Sequence, residues 1–275
     1  MLRVMHPRGI YPADHFHDHD AVFISEPEYV ISVTRVEFTG GVGSELQWAS
    51  LAEIHLWAAV TLSIPEGSGI YHVYPTNWAR YLDPLELPSL DLSDEHCLRE
   101  FCNIGSELTV DRFSSGLLGS YVRRENDGGS VARQKLYRAL SARNPLLMRG
   151  ANCLLKGWML WSHDVFGEEA ALSVFIAMEA ALDHIRLSLS DIHKKELGFN
   201  DVHDYLSDTI HLGEPLSQYL KMCWDNRVML AHPNSKHGCY SIPPLMADDF
   251  YETYEALVTL YRFILLGEDR PRLLG

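Results

Sequence analysis

The apolar positions of this chain change their period part-way along it. Over the first hundred residues they come in short β-branched and aromatic runs, "AVFISE" at 21–26 and "YVISVTRVEF" at 29–38. The second run alternates at Tyr29, Ile31 and Val33, then slips phase to Val36 and Phe38, as a bulge or sheet corner does. "TGGVGS" and "IPEGSG" read as turns, and "IYHVYP" (70–75) as a further short strand. "LAEIHLWAAVTLSI" (51–64) fits a buried strand or a helix, and its β-branched end favours a strand at 60–64. "DPLELPSLDLS" is broken by prolines and reads as a connector, after which "SDEHCLREF" begins a short helix with Ser93 or Asp94 as its cap.

The charged, glycine-rich stretch "RENDGGS" (124–130) lacks apolar anchors and marks a boundary. The spacing therefore predicts an α+β chain, with a β-containing module over 1–124 and an all-α antiparallel bundle over 125–275. "SVARQKLYRALSA" reads as a helix capped by Ser130. "NPLLMRGANCLLKGWMLWSHDVF" follows, with Asn144 as cap and Pro145 in the first turn. A long helix starts at Gly167, with Leu172, Phe175, Ile176, Met178, Ala181, Leu182 and Ile185 in the i, i+3, i+4 pattern. "NDVHDYLSDTI", "EPLSQYLKMCWDNRVMLAH" and "MADDFYETYEALVTLYRFILLG" complete the set, the last stopping at Gly267.

Composition narrows the function classes. A length of 275 residues with 47% apolar content fits one large domain or two modest ones. No uncharged apolar run reaches membrane-spanning length, and the N-terminal stretch has no apolar h-region, so neither a membrane span nor a signal peptide is expected. Cys97, Cys102, Cys153, Cys223 and Cys239 form no close pair, which suits free thiols and a cytoplasmic location. A net charge of −14 argues against general nucleic-acid binding. One interval departs from it. Between Arg123 and Lys156 lie eight Lys or Arg against two acids, and Arg133, Lys135, Arg138 and Arg143 are its candidate phosphate contacts; the plainer alternative is a solvated helix face.

The candidate chemistry lies in "YLKMCWDNRVMLAHPNSKHG" (219–238), where Arg227 interrupts an apolar helical pattern and His232 follows five residues later, just before Pro233. Residues five apart on a straight helix stand about 140° apart, so the two are not a side-by-side structural pair. On RNA, a histidine near neutral pKa can take the proton of a ribose 2′-hydroxyl, while an arginine holds the phosphate and its developing charge. The nucleophile is then already in the substrate, and neither metal nor cofactor is required. Asp225, Asn226 and His237 are candidate supporting groups. The plainer alternative is an Arg227 salt bridge to a bundle acid and a His232 that complements the helix dipole.

Arg-x4-His near the end of a helix resembles the HEPN superfamily, its Apea-like group in particular. "FIAMEAALDHI" resembles that family's glutamate-bearing helix, and "FYETYEALVTLYRFILL" its last helix; the resemblance spans residues 145–267. It implies a metal-independent endoribonuclease that dimerises through the helix of Arg227 and His232 and acts as a toxin or antiviral-defence effector, with RNA as substrate and a regulatory or defence-system protein as partner. Two positions depart from the family. Val228 follows the arginine where a polar residue is usual, and Asn234 stands where some relatives have tyrosine. They bear on the alternative, a non-catalytic RNA-binding or scaffold subunit.

Other constellations are weaker. "DHFHDHD" puts His15, His17 and His19 on one face of a strand among Asp14, Asp18 and Asp20, a donor set that suits zinc; the alternative is a polar segment of adventitious affinity, and no metal site is assigned. "EFTGGVGSE" lacks the nucleotide-binding glycine patterns, and Ser120 sits in no nucleophile elbow. "GWMLW" reads as core.

Overall fold

The computed structural model describes residues 1–7, 9–36, 49–63, 73–112, 122–124, 129–140, 144–163, 166–209, 218–219, 221–224 and 247–267. The protein is α+β: an N-terminal five-stranded antiparallel sheet is followed by a mainly helical region. It divides into two compact units, Met1–Arg138 and Ala139–Gly275.

In the N-terminal unit, β1 (Leu2–Met5), β3 (Phe16–His17), β4 (Ala21–Ser25), β5 (Val30–Thr34) and β6 (Pro75–Arg80) form a sheet in the order β3-β4-β5-β1-β6. β2 (Ile10–Pro12) pairs in parallel with β7 (Val122–Arg124). One face of the sheet presents Leu2, Val4, Val22, Ile24, Ile31 and Val33 to Phe101 and Ile104 of α2 (Glu95–Arg112). The other face presents Arg3 to Glu53 of α1 (Leu51–Leu62). Both faces are covered, so "AVFIS" and "VISVT" are buried at every position, and the expected Ile31/Val33 alternation marks the α2 side.

Four expectations change here. Residues 60–62 end helix α1 and do not form a strand; a capping box starts that helix, with Ser50 Oγ accepting from Glu53 N (3.2 Å) and Ser50 N donating to Glu53 Oε2 (2.8 Å). Of the strand expected at 70–75, residues 70–72 lie outside the described residues, and the described strand, β6, begins only at Pro75 and runs to Arg80. The short helix expected at 93 is the 18-residue α2, with the Asp94 carboxylate accepting from His96 N. Helix α3 (Gly129–Ala139) begins before Ser130, which therefore is not its cap. The compact units divide after Arg138, at the end of this helix.

In the C-terminal unit, α4 (Pro145–Trp161) starts as the sequence predicts, with Asn144 Oδ1 accepting from Leu147 N. Next come α5 (Gly167–His193), α6 (Phe199–Thr209), helical residues at 218–219 and 221–224, and α7 (Ala247–Leu266), closed by Gly267 at φ 64°. A methyl group at Gly157 would lie 2.9 Å from Val174, and one at Gly150 would lie 3.1 Å from the Ala180 Cβ, so α4 and α5 run antiparallel at close approach. The Gly150 methyl would also meet Tyr261 Oη, while Trp158 packs on Tyr254 at 4.9 Å, so α7 too runs antiparallel to α4. Among the described residues no helix is long and apolar enough to cross a membrane.

Candidate functional site

Helical residues 218–219 and 221–224, which precede the Arg-His motif in the sequence, touch α6 and α7. Tyr219 Oη lies 2.6 Å from Thr253 Oγ1 of α7, and Cys223 Sγ lies 3.7 Å from the same oxygen. Trp224 stacks on Phe199 at the start of α6, with ring centroids 4.3 Å apart and planes 17° apart. Burial raises the Tyr219 hydroxyl pKa, so it stays a hydrogen-bonding phenol at neutral pH. Asp225, Asn226, Arg227, His232 and His237 lie outside the described residues, as does Arg143.

The described cations of the basic interval are not all exposed. Arg133 is fully buried: its Nη2 donates to both carboxylate oxygens of Asp14 at 2.6 Å, and its Nη1 donates to Ser63 Oγ at 3.2 Å. A guanidinium enclosed and paired in this way is withdrawn from any phosphate, which corrects the expectation for this residue. Lys135 and Arg138 are exposed on the other side of α3, and Arg138 Nε stands 3.8 Å from Asp18. Arg149 and Lys156 belong to α4 in the other unit, where they flank Cys153 seven residues apart on one helix face. Burial raises the Cys153 thiol pKa, against the pull of these two cations.

"DHFHDHD" is a structural strap. Asp14 takes Arg133, and the Phe16 ring meets Tyr137 of α3 at 5.1 Å. His15 Nε2 pairs with Glu26 at 3.0 Å. The His19 carbonyl accepts from Leu92 N, and its ring stands 3.6 Å from Asp91. Asp20 holds Arg35 at 3.0 Å. His17 stands apart, with a buried, unbonded Nε2; its pKa is lowered by burial and then by His15, whose ring is 5.8 Å away. Among the described residues no three of His, Cys, Asp and Glu converge as a metal ion requires.

Sequence reasoning missed three features. Nothing local pairs Arg133 with Asp14, 119 residues away. The contact of Phe199 with Trp224 also joins separate helices, although the i, i+4 spacing of Tyr219 and Cys223 did indicate one shared face. The third is an open polar cleft of about 470 Å³ between β6 and α2, lined by Arg80, Glu100, Asn103, Ile104, Ser106 and Glu107. Comparison of the chain with protein-family models, with curated proteins and with solved structures finds no match in any of the three.

Proposed function

We propose that the chain is a metal-independent endoribonuclease whose C-terminal unit is HEPN-like, acting as a toxin or antiviral-defence effector. The observation that carries this reading is Arg227-x4-His232, ended by Pro233, in the unit whose described part is helical. His232 takes the proton of the ribose 2′-hydroxyl, and the 2′-oxygen attacks the adjacent phosphorus. The bond from phosphorus to the 5′-oxygen breaks, and that oxygen takes up a proton as it leaves. Arg227 holds the phosphate through the change in charge. Asp225, Asn226 and His237 are its supporting groups, with Lys135 and Arg138 as exposed RNA contacts. The products are a 2′,3′-cyclic phosphate and a 5′-hydroxyl. A homodimer through the Arg227/His232 helix completes the site, and a regulatory or defence-system protein controls it.

Two observations favour the second reading, an RNA-binding or scaffold subunit that does not cut. Val228 replaces the usual polar residue after the arginine, and the chain's net charge of −14 suits assembly with other proteins better than catalysis on RNA.

The test is cleavage of total tRNA and of mixed-sequence single-stranded RNA in EDTA, by wild type, Arg227→Ala and His232→Ala, with product ends mapped. The expected result is cleavage by wild type alone, leaving 2′,3′-cyclic phosphates. RNA binding or partner assembly without cleavage by any of the three leaves a nuclease held silent by its regulator or the scaffold. Cleavage that survives both substitutions removes the pair from the chemistry.

A further inference from the structure

We propose that the groove between β6 and α2 of the N-terminal unit docks an extended peptide with basic side chains, which joins the sheet as a strand beside β6. The inference does not depend on the ribonuclease reading. The sheet has two edges among the described residues. β3 is only two residues long, and its Phe16 meets Tyr137 of α3. β6 is six residues long and pairs with β1 alone among the described residues. An open edge is a template for a further strand, and proteins blunt it with prolines and bulges. In β6 the proline is the first residue, and the shift of register falls between the pairings of Pro75 and Ala79. The four residues from Asn77 to Arg80 are all exposed.

Helix α2 packs on β1 and β5, and the cleft of about 470 Å³ opens between this helix and β6. Arg80 pairs with Leu2, which belongs to the core beneath α2. Paired residues of an antiparallel ladder share a face, so Arg80 stands on the α2 side and lines the cleft. Glu100 and Glu107 line the opposite wall with Asn103 between them. Seven residues apart on a helix, the two carboxylates lie within about 20° of one another and roughly 10 Å apart along the axis. Among the described residues the side chains of Arg80, Glu100, Asn103 and Glu107 make no hydrogen bond or ion pair. Opposite charges therefore share one cleft without meeting, and the carboxylates outnumber the guanidinium. The occupant that completes this arrangement brings backbone N–H and C=O groups to the β6 edge, cations to the two glutamates and a carboxylate to Arg80. Side chains on one face of an extended peptide repeat at about 6.7 Å, and the long stem of lysine spans the remaining difference. The open cleft suits a peptide better than a small molecule, whose sites enclose most of the ligand surface.

The probe is a fluorescein-labelled six-residue peptide in which lysine alternates with valine and the last residue keeps its carboxylate, titrated into the full chain. The expected result is saturable binding below about 1 mM, with hydrogen exchange at residues 76–80 slowed in the complex. Glu100→Gln together with Glu107→Gln weakens binding roughly three- to thirtyfold. Both positions are exposed, so the variant keeps the fold. Glutamate in place of lysine in the peptide abolishes binding. N-methylation of the peptide backbone blocks binding on one alternate set of residues and is tolerated on the other, because a strand turns its donors to one neighbour from every second residue. The absence of saturable binding overturns the proposal. So does tolerance of N-methylation on both sets, which means that the cleft takes cations without a strand. Equal competition by free lysine overturns it in favour of a small-molecule site. Self-association of the chain that Glu107→Lys breaks gives the edge to a second copy and overturns it as well.

Discussion

The two units fill their interiors by opposite means. The N-terminal unit buries charge. Arg3 donates to Glu53 Oε1 at 2.5 Å and to the Thr76 carbonyl, with its guanidinium 5.8 Å from the Trp57 ring, and Arg133 is enclosed against Asp14. The C-terminal unit buries small and aromatic residues. Ala170, Ala171, Ala177 and Ala181 line α5, and Trp161 stacks on Phe250 at 4.1 Å. The first device specifies through partners 50 and 119 residues apart, which meet in only one topology. The second specifies through shape, by which residues leave room for a neighbouring helix. An ion pair loses most when one partner is removed; a shaped interface loses most when it is overfilled.

Breaking the buried pair gives the largest expected effect. Asp14→Ala leaves the Arg133 guanidinium enclosed beside Ser63 Oγ at 3.2 Å without its carboxylate, and removal of one partner of a buried pair costs about 3–5 kcal/mol. The low end applies, because the Asp14 side chain is 32% exposed. Arg133→Met, which removes the charge and keeps the stem, costs less. Hydrogen exchange resolved by unit checks both: protection falls in α3 and the sheet and stays in α4 and α5. Equal losses for Asp14→Ala and Arg133→Met would show that the pair contributes by packing alone.

The same contrast explains what was legible. Helical periodicity and caps are local, so Asn144, Pro145, the long α5 and Gly267 all stand where the pattern puts them. So does the α+β order, since the change of period at Gly128–Gly129 is itself local. Helix α1 was legible too, through Ser50 and Glu53, but Val60 and Thr61 weighed towards a strand. What escaped was long-range. A sequence shows how many cations α3 carries, not which face the sheet covers, and Arg133 lies on the covered face while Lys135 and Arg138 do not. The sequence supplies Arg227 and His232 only as residue types at a spacing, while the contacts of Tyr219 and Cys223 with Thr253 and of Trp224 with Phe199 join residues distant in the chain.

A smaller effect, dependent on pH, separates the units further. In the C-terminal unit, Asn144 spends both ends of its amide: Oδ1 caps Leu147 N, and Nδ2 donates to His184 Nδ1 at 3.0 Å. Nδ1 must then carry a lone pair. Protonation of His184 removes that acceptor, and burial already lowers its pKa. The folded pKa lies below the unfolded value of about 6.5, so the unfolded chain takes the proton first. The contribution to stability is complete above that value and is lost as pH falls through the folded pKa. His17 acts in the same direction in the N-terminal unit. Asn144→Asp reverses the sign at His184: a carboxylate accepts from both Leu147 N and the imidazolium, raises the folded pKa, and adds stability that is present at low pH and lost as pH rises. Protection of α4 amides at pH 7.5 and 5.5 reads this, and identical pH responses in wild type and Asn144→Asp would refute the assigned tautomer.

The smallest expected effect lies at the C-terminus of α5, where shape alone is at issue. Lys194 holds φ 53°, ψ 34° and is the single non-glycine residue with positive φ among the described residues. Its backbone N–H donates to the Ser190 carbonyl, and Leu197 N donates to Ser190 Oγ, so the left-handed turn satisfies the helix end. The left-handed conformation costs an L-residue roughly 1–2 kcal/mol, and glycine pays part of that back in unfolded-state entropy. Lys194→Gly therefore stabilises the C-terminal unit by about 0.5–1 kcal/mol, seen as slower exchange at the end of α5. Its side chain is exposed and has no role in the bundle interior, so the gain comes from the backbone alone. A loss of stability would instead mean that the ammonium, beside the last carbonyls of a 27-residue helix, outweighs the strain of the turn.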